Sequence, residues 1–178
     1  ISSSAQLSAA GASASNQPTG ILNTAGIGSV TSSGSLSWAD MVNLETEVAI
    51  HNADAEGCGY LAHPIARSQL LTTMINTTYG ERPLMGPSVK PGSHGQVNGY
   101  PIFFSSNVPT TIDTNHTALI FGNFKDVIVG IWGAGIDLTV DKTTLGLSGG
   151  MRLITMLDCD VIIRHPESFA AVQDIDTV

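Results

Sequence analysis

Residues 117–141 read TALIFGNFKDVIVGIWGAGIDLTVD, and residues 151–172 read MRLITMLDCDVIIRHPESFAAV. Both stretches are dense in β-branched and aromatic residues, which suit the pleated surface of a sheet. Glycines interrupt the first, as they do where strands bulge or backbones approach closely, so two or three strands are expected there. The second predicts one long strand through about Arg164, after which Pro166, lacking an amide hydrogen, limits regular pairing.

Upstream of this β-rich half the pattern is helical. Ser37 and Asp40 have the spacing of a capping box, and Trp38, Met41, Val42, Val48 and Ala49 recur on one helical face, which predicts a helix over 38–51. Cys58 to His63 is short and apolar enough for a buried strand. Pro64 suits the first position of a second helix running to about Asn76, with Leu70, Leu71, Met74 and Ile75 on its apolar side. Residues 80–99, rich in Pro and Gly and carrying Arg82, Lys90 and His94, predict a long surface loop, and GYPIFFSSNVP (99–109) a turn and a strand. The first twenty residues carry no charge and read as a flexible arm, and Pro18 and Gly20 then introduce a turn and a brief strand. Two helices and about six strands make the expected fold class α+β.

A chain of 178 residues with 42% hydrophobic content can bury one core, so a single domain or two intimate subdomains are expected. Seven Lys and Arg against fifteen Asp and Glu give a formal charge of −8, which argues against a basic grip on a nucleic-acid backbone. Only 12% of residues are charged, about half the roughly 25% of ordinary soluble domains. Much of the surface is therefore expected to face other subunits. Cys58 and Cys159 are too few for a disulfide framework and are expected to be structural thiols. No run approaches the roughly 18 apolar residues of a membrane span, and no basic-then-apolar leader is present, so a soluble, unexported chain with no membrane partner is expected. The chain starts at Ile1 without an initiator Met, as a piece of a longer protein would.

Signals of chemistry are sparse. His51, His63, His94, His116 and His165 fall in different elements and never at the i, i+4 spacing of a helical metal site, so no metal is expected. GLSGG (146–150) matches the nucleophile-elbow pattern around Ser148, with Asp158 and His165 downstream as conceivable partners. The turn-like DKTTL before it and the strand-like MRLITML after it do not supply the strand-to-helix corner that such a serine needs. The pairs Gly26/Gly28, Gly57/Gly59 and Gly133/Gly135 lack the third glycine and βαβ frame of a dinucleotide site, so no cofactor is expected. Glu45, Glu47, Asp54 and Glu56 read as the solvated face of a helix and its exit turn, and N-x-[ST] at Asn76 and Asn115 as chance matches.

Taken in order, QPTGILN (17–23), WADMVNLETEV (38–48), YLAHPIARSQL (60–70), GYPIFFSSNVP, the Gly-broken 118–141 stretch and the terminal strand closing on PESF (166–169) resemble the major capsid proteins of tailed double-stranded DNA phages and prophages, the HK-ninety-seven-like fold. The resemblance covers most of the chain. It implies an A domain, a mixed sheet flanked by helices near the symmetry axes, over 21–130, P-domain strands over 131–165, and a return to the A domain over 166–178, following an arm or loop over 1–20. It also implies that the family's N-terminal arm, spine helix and extended loop lie outside this chain. Some members cross-link through a Lys–Asn isopeptide bond assisted by a Glu. Here the terminal strand carries Asp158 and Asp160 instead, so no catalytic, cofactor or metal residue is carried over.

The function implied is structural. Copies would build pentamers and hexamers of an icosahedral shell around phage DNA, touching the DNA only indirectly, in the virion and, during assembly, the host cytoplasm. Partners would be the chain's own copies together with a scaffold or protease and the portal. Residues 80–99 are the expected axis-facing contact. The competing readings are a serine hydrolase using Ser148 and a virion decoration or binding module, against which the two expected helices count.

Overall fold

The computed structural model describes residues 19–53, 57–76, 80–86, 95–113 and 115–177. In chain order the elements are β1 (Gly28–Val30), α1 (Trp38–Ile50), β2 (Cys58–Ala62), α2 (Ala66–Thr72), β3 (Met74–Asn76), β4 (Gly80–Pro83), β5 (Gly95–Val97), β6 (Tyr100–Phe104), β7 (His116–Asn123), β8 (Val127–Asp141), β9 (Arg152–Ile163) and β10 (Phe169–Asp176). Six strands form a mixed sheet in the order β1-β10-β7-β2-β6-β5, β3 pairs with β4, and β8 pairs with β9 as a long antiparallel hairpin.

The alternation of side chains along β7 and β10 builds a core on each side of the sheet. Leu119, Phe121, Ala170 and Val172 point to the side covered by α1 and α2, where Met41, Leu44, Val48 and Leu70 meet them. Ile120, Phe169 and Ala171 point to the other side, where a single turn of 3-10 helix at Ile21–Asn23 and the base of the hairpin at Val127 and Ile163 close over them. The two central strands are thus buried on both faces. At Gly122 this closeness leaves no room for a side chain: a Cβ would lie 2.5 Å from the Ser168 carbonyl oxygen.

Helix α1 begins where its cap dictates. Ser37 Oγ accepts the Asp40 N–H at 3.3 Å, and the Asp40 carboxylate accepts the Ser37 N–H at 2.8 Å. Such reciprocal caps stabilise a helix start by about 1 kcal/mol.

Elsewhere the structure corrects the sequence expectations. The second helix ends at Thr72, and Met74–Asn76 is a strand. One later chain segment captures the helix end: Met85 N–H donates to the Leu70 carbonyl and Leu84 N–H to that of Thr73, both at 3.0 Å. Leu70 is buried as expected, whereas Leu71 and Met74 are exposed. The expected loop over 80–99 contains β4 and β5, and residues 87–94, Lys90 and His94 among them, lie outside the described residues, as does the arm over 1–18. Asn98 and Gly99, both at positive φ (49° and 89°), make the two-residue turn joining β5 to β6. Ten strands are present among the described residues rather than about six. Pro166 starts a short 3-10 turn, but pairing resumes at once, and β10 is flanked by partners on both sides.

Candidate assembly surface

The hairpin leaves the sheet as a two-stranded ribbon, and its register decides what each face presents. Paired residues share a face. β9 is regular throughout, so Leu153, Thr155, Leu157, Cys159, Val161 and Ile163 line one face, and Arg152, Ile154, Met156, Asp158, Asp160 and Ile162 the other.

On β8 the register shifts once. Between the pairs Trp132↔Asp158 and Asp137↔Met156, β8 advances five residues while β9 advances two. This bulge contains Gly133 and Gly135 at φ 76° and 91°, a backbone that L side chains rarely adopt. Because the excess is odd, Leu138 and Val140 beyond the bulge join the face that carries Val127, Val129 and Ile131 before it. Ten of the eleven residues on that face are apolar, Thr155 being the exception. The opposite face collects Asp137, Asp141, Asp158, Asp160 and Arg152, with the Trp132 ring lying over Gly130.

On β9 the apolar face is buried at its base, where Val161 and Ile163 are 9% exposed, and open at its outer end, where Leu153 is 60% exposed; on β8 it is open from Val129 (53%) outward. The stripe enters the core of the sheet at one end and is uncovered at the other.

The hairpin tip is built by Asp141, whose carboxylate accepts hydrogen bonds from the backbone N–H and the hydroxyl of both Thr143 and Thr144. These bonds, led by that of the Thr143 hydroxyl, hold its carboxyl well below the usual range. Leu147 at the tip is fully exposed.

Ser148 sits in a single 3-10 turn at this tip and donates to the Leu145 carbonyl at 3.1 Å. It lies beyond the outermost rung, Asp141↔Arg152, and His165 lies beyond the innermost, Val127↔Ile163. At about 3.3 Å per residue the intervening strand separates them by roughly 36 Å, and Asp158 is midway along it. The structure does not bring these three residues together.

The remaining sequence candidates are dispersed. His51 lies 3.4 Å from Glu167 and His116 lies 3.2 Å from Asp176. His63 accepts the Ile65 N–H at the entrance to α2, and its partial burial pushes its pKa down. Glu45, read as a solvated acid, instead accepts hydrogen bonds from the Tyr60 hydroxyl and the Asn98 amide, both at 2.6 Å. Burial, reinforced by Glu45, pushes the Tyr60 phenol far above its ordinary value. Asp54 and Glu56 lie outside the described residues, and among the described residues no three His, Cys, Asp or Glu gather as a metal site. The strongest feature of the surface is thus the exposed apolar ribbon, denser on the face of Val129 and Leu138 although Ile128, Trp132, Met156 and Ile162 are exposed on the other. The sequence reading expected a long strand through Arg164 and glycine interruptions of the kind that mark bulges in 117–141, but not the register that gathers the apolar residues of both strands on one face.

The chain has the α+β architecture of an HK-ninety-seven-like capsid subunit. Against the solved capsid of an empty GTA particle it superposes with a TM-score of 0.67 at 12% identity, covering 97% of this chain and 61% of that one. The SrpI encapsulin of Synechococcus elongatus PCC 7942 gives 0.62 at 18% identity over 90% of this chain and 57% of its own, and Mycobacterium phage Che8 gives 0.59 at 11% over 82% and 53%. In sequence, the major capsid protein of Halomonas phage phiHAP-1 is 32% identical over 155 residues, 87% of this chain. The model of the phage capsid family matches residues 3–174, and the chain belongs to that family. It spans 23% of the length of the Halomonas phage relative.

Proposed function

We propose that this chain is the sheet-and-hairpin portion of a major capsid protein that assembles into the pentamers and hexamers of an icosahedral phage head, with no catalytic role of its own. The observation that carries the reading is the apolar ribbon on β8 and β9, exposed towards its tip and continuous with the core at its base. Contiguous exposed apolar surface on a folded chain marks a place where protein covers protein. In the shell this ribbon is covered by the rest of the subunit and by neighbouring copies.

In this reading residues 21–130 and 166–178 are the axis-facing A domain, 131–165 the P-domain strands and 1–20 an arm. Residues 80–99 contribute the contact at the axes. Scaffold or protease and portal act as partners during assembly in the host cytoplasm, and the finished protein resides in the virion, with packaged DNA touched only indirectly. The acidic balance of −8 agrees with a wall that does not adhere to its genome.

The test is electron microscopy of the full-length parent, expressed with the protease or scaffold encoded beside it. Regular shells are expected, and a parent that stays monomeric under all assembly conditions overturns the proposal. An active-site serine probe is expected to leave the chain unlabelled; labelling at Ser148 would restore the hydrolase reading.

A further inference from the structure

Two connectors join the hairpin to the sheet, residues 123–127 entering it and residues 164–168 leaving it. Both converge on Asp126, which is 8% exposed. Its carboxylate accepts the Ser168 hydroxyl at 2.8 Å and lies 3.4 Å from the Arg164 guanidinium, and its backbone carbonyl accepts the Arg164 N–H at 2.9 Å. The Arg164 side chain is 63% exposed, so the carboxylate is the buried member of the pair.

A buried carboxylate is a poor choice where only cohesion is needed, because an apolar side chain of similar volume usually packs at least as well. What it supplies is a single satisfied geometry. All three bonds made by Asp126 reach from the first connector to the second, and none reaches the body of the sheet.

Beside this junction lies a cavity of about 340 Å³, bounded by His51 and Asn52 at the end of α1, by Asn123, and by His165 and Glu167. Arg164 is accompanied there by Asp126 and Glu167, so the cavity offers no single-sign charge that would select a ligand. It does offer room for the connectors to move.

We propose that Asp126 is a latch that fixes the angle between hairpin and sheet, engaged by Ser168 and Arg164 from the opposite connector, and that on its release the hairpin turns about the two connectors into the adjoining cavity. This does not depend on the shell reading, since the latch lies within one chain.

The test measures distances between spin labels on Asn43→Cys, exposed on α1, and Leu147→Cys at the hairpin tip, in the chain carrying Cys159→Ser. The latched chain is expected to give one narrow distribution. Asp126→Asn keeps the shape but turns an amide towards Arg164 or Ser168, and Ser168→Ala removes one hydroxyl. Both are expected to broaden the distribution about twofold while amide protection in β7 and β10 stays unchanged. Unchanged distributions in both variants overturn the latch. So does broadening with loss of protection across β7 and β10, which would make Asp126 a residue of general stability. Should Asp126→Asn fail to fold, the milder Ser168→Ala decides on the same two readouts.

Discussion

The six-stranded sheet and the β8–β9 hairpin are built from the same residue types, yet only one of them is finished. Strand β7 is buried along both faces, and its Leu119, Ile120 and Phe121 each meet a side chain from this chain. Strand β9 is buried at Val161 and Ile163 alone, and at its outer end Leu153 and Thr155 are exposed. β-propensity says that a segment will be a strand; who covers its face is decided by what stands next to it. The sheet carries its own complement in α1, α2 and the 3-10 turn, whereas the outer hairpin is left exposed.

Replacing a side chain on each region with a charge is the direct way to break this comparison. Val172→Asp places an unpaired carboxylate in the closed core and is expected to cost about 4 kcal/mol or more, enough to unfold the chain in urea melts. Leu138→Asp on the uncovered ribbon is expected to change stability by under about 0.5 kcal/mol in the same melts, yet to abolish shells of the full-length parent. Equal losses at the two sites would erase the distinction. Gly122→Ala sharpens the sheet side, because its methyl meets a backbone carbonyl that cannot retreat, and a loss of about 3 kcal/mol is expected.

Smaller effects report on how the sheet is tied at its margins. Tyr60→Phe removes the donor to Glu45 and is expected to cost about 1–2 kcal/mol in denaturant. Asp174 is partly buried, which raises its pKa, but bonds from the backbone of Ser32 and Ser33 and the Ser32 hydroxyl outweigh burial and leave the carboxyl below its ordinary value. A folded pKa below the unfolded one stabilises above the unfolded value of about 3.9 and fades as pH falls through the folded value. Asp174→Asn is thus expected to cost about 1 kcal/mol at pH 7, with the gap from the parent chain narrowing in acid.

Much of the sheet was legible because its signals are local. The start of α1 was written in Ser37 and Asp40, and β2, β6 and β7 in short apolar runs. The overlong second helix came from Leu70, Leu71, Met74 and Ile75, whose spacing imitates a helical face. The β-branched Thr72 and Thr73 mark the real end, but the carbonyls there are captured by Leu84 and Met85, more than ten residues on. Asn98-Gly99 was a readable hairpin turn overlooked inside a stretch taken as loop. The candidate assembly surface was legible only as strands, not as a face. Which face Leu138 and Val140 occupy depends on how β8 is paired, and pairing is a property of two strands rather than of one sequence window.

The bulge between Trp132 and Asp137 also sets a rule of counting for the gene. A one-codon insertion or deletion there that slips the outer rungs by one residue would exchange Leu138 and Val140 with Asp137, Thr139 and Asp141, turning the outer half of β8 inside out without altering a single residue outside the bulge. A two-codon change would leave the faces as they are. Lineages of this protein should therefore differ in length across residues 133–136 by even steps.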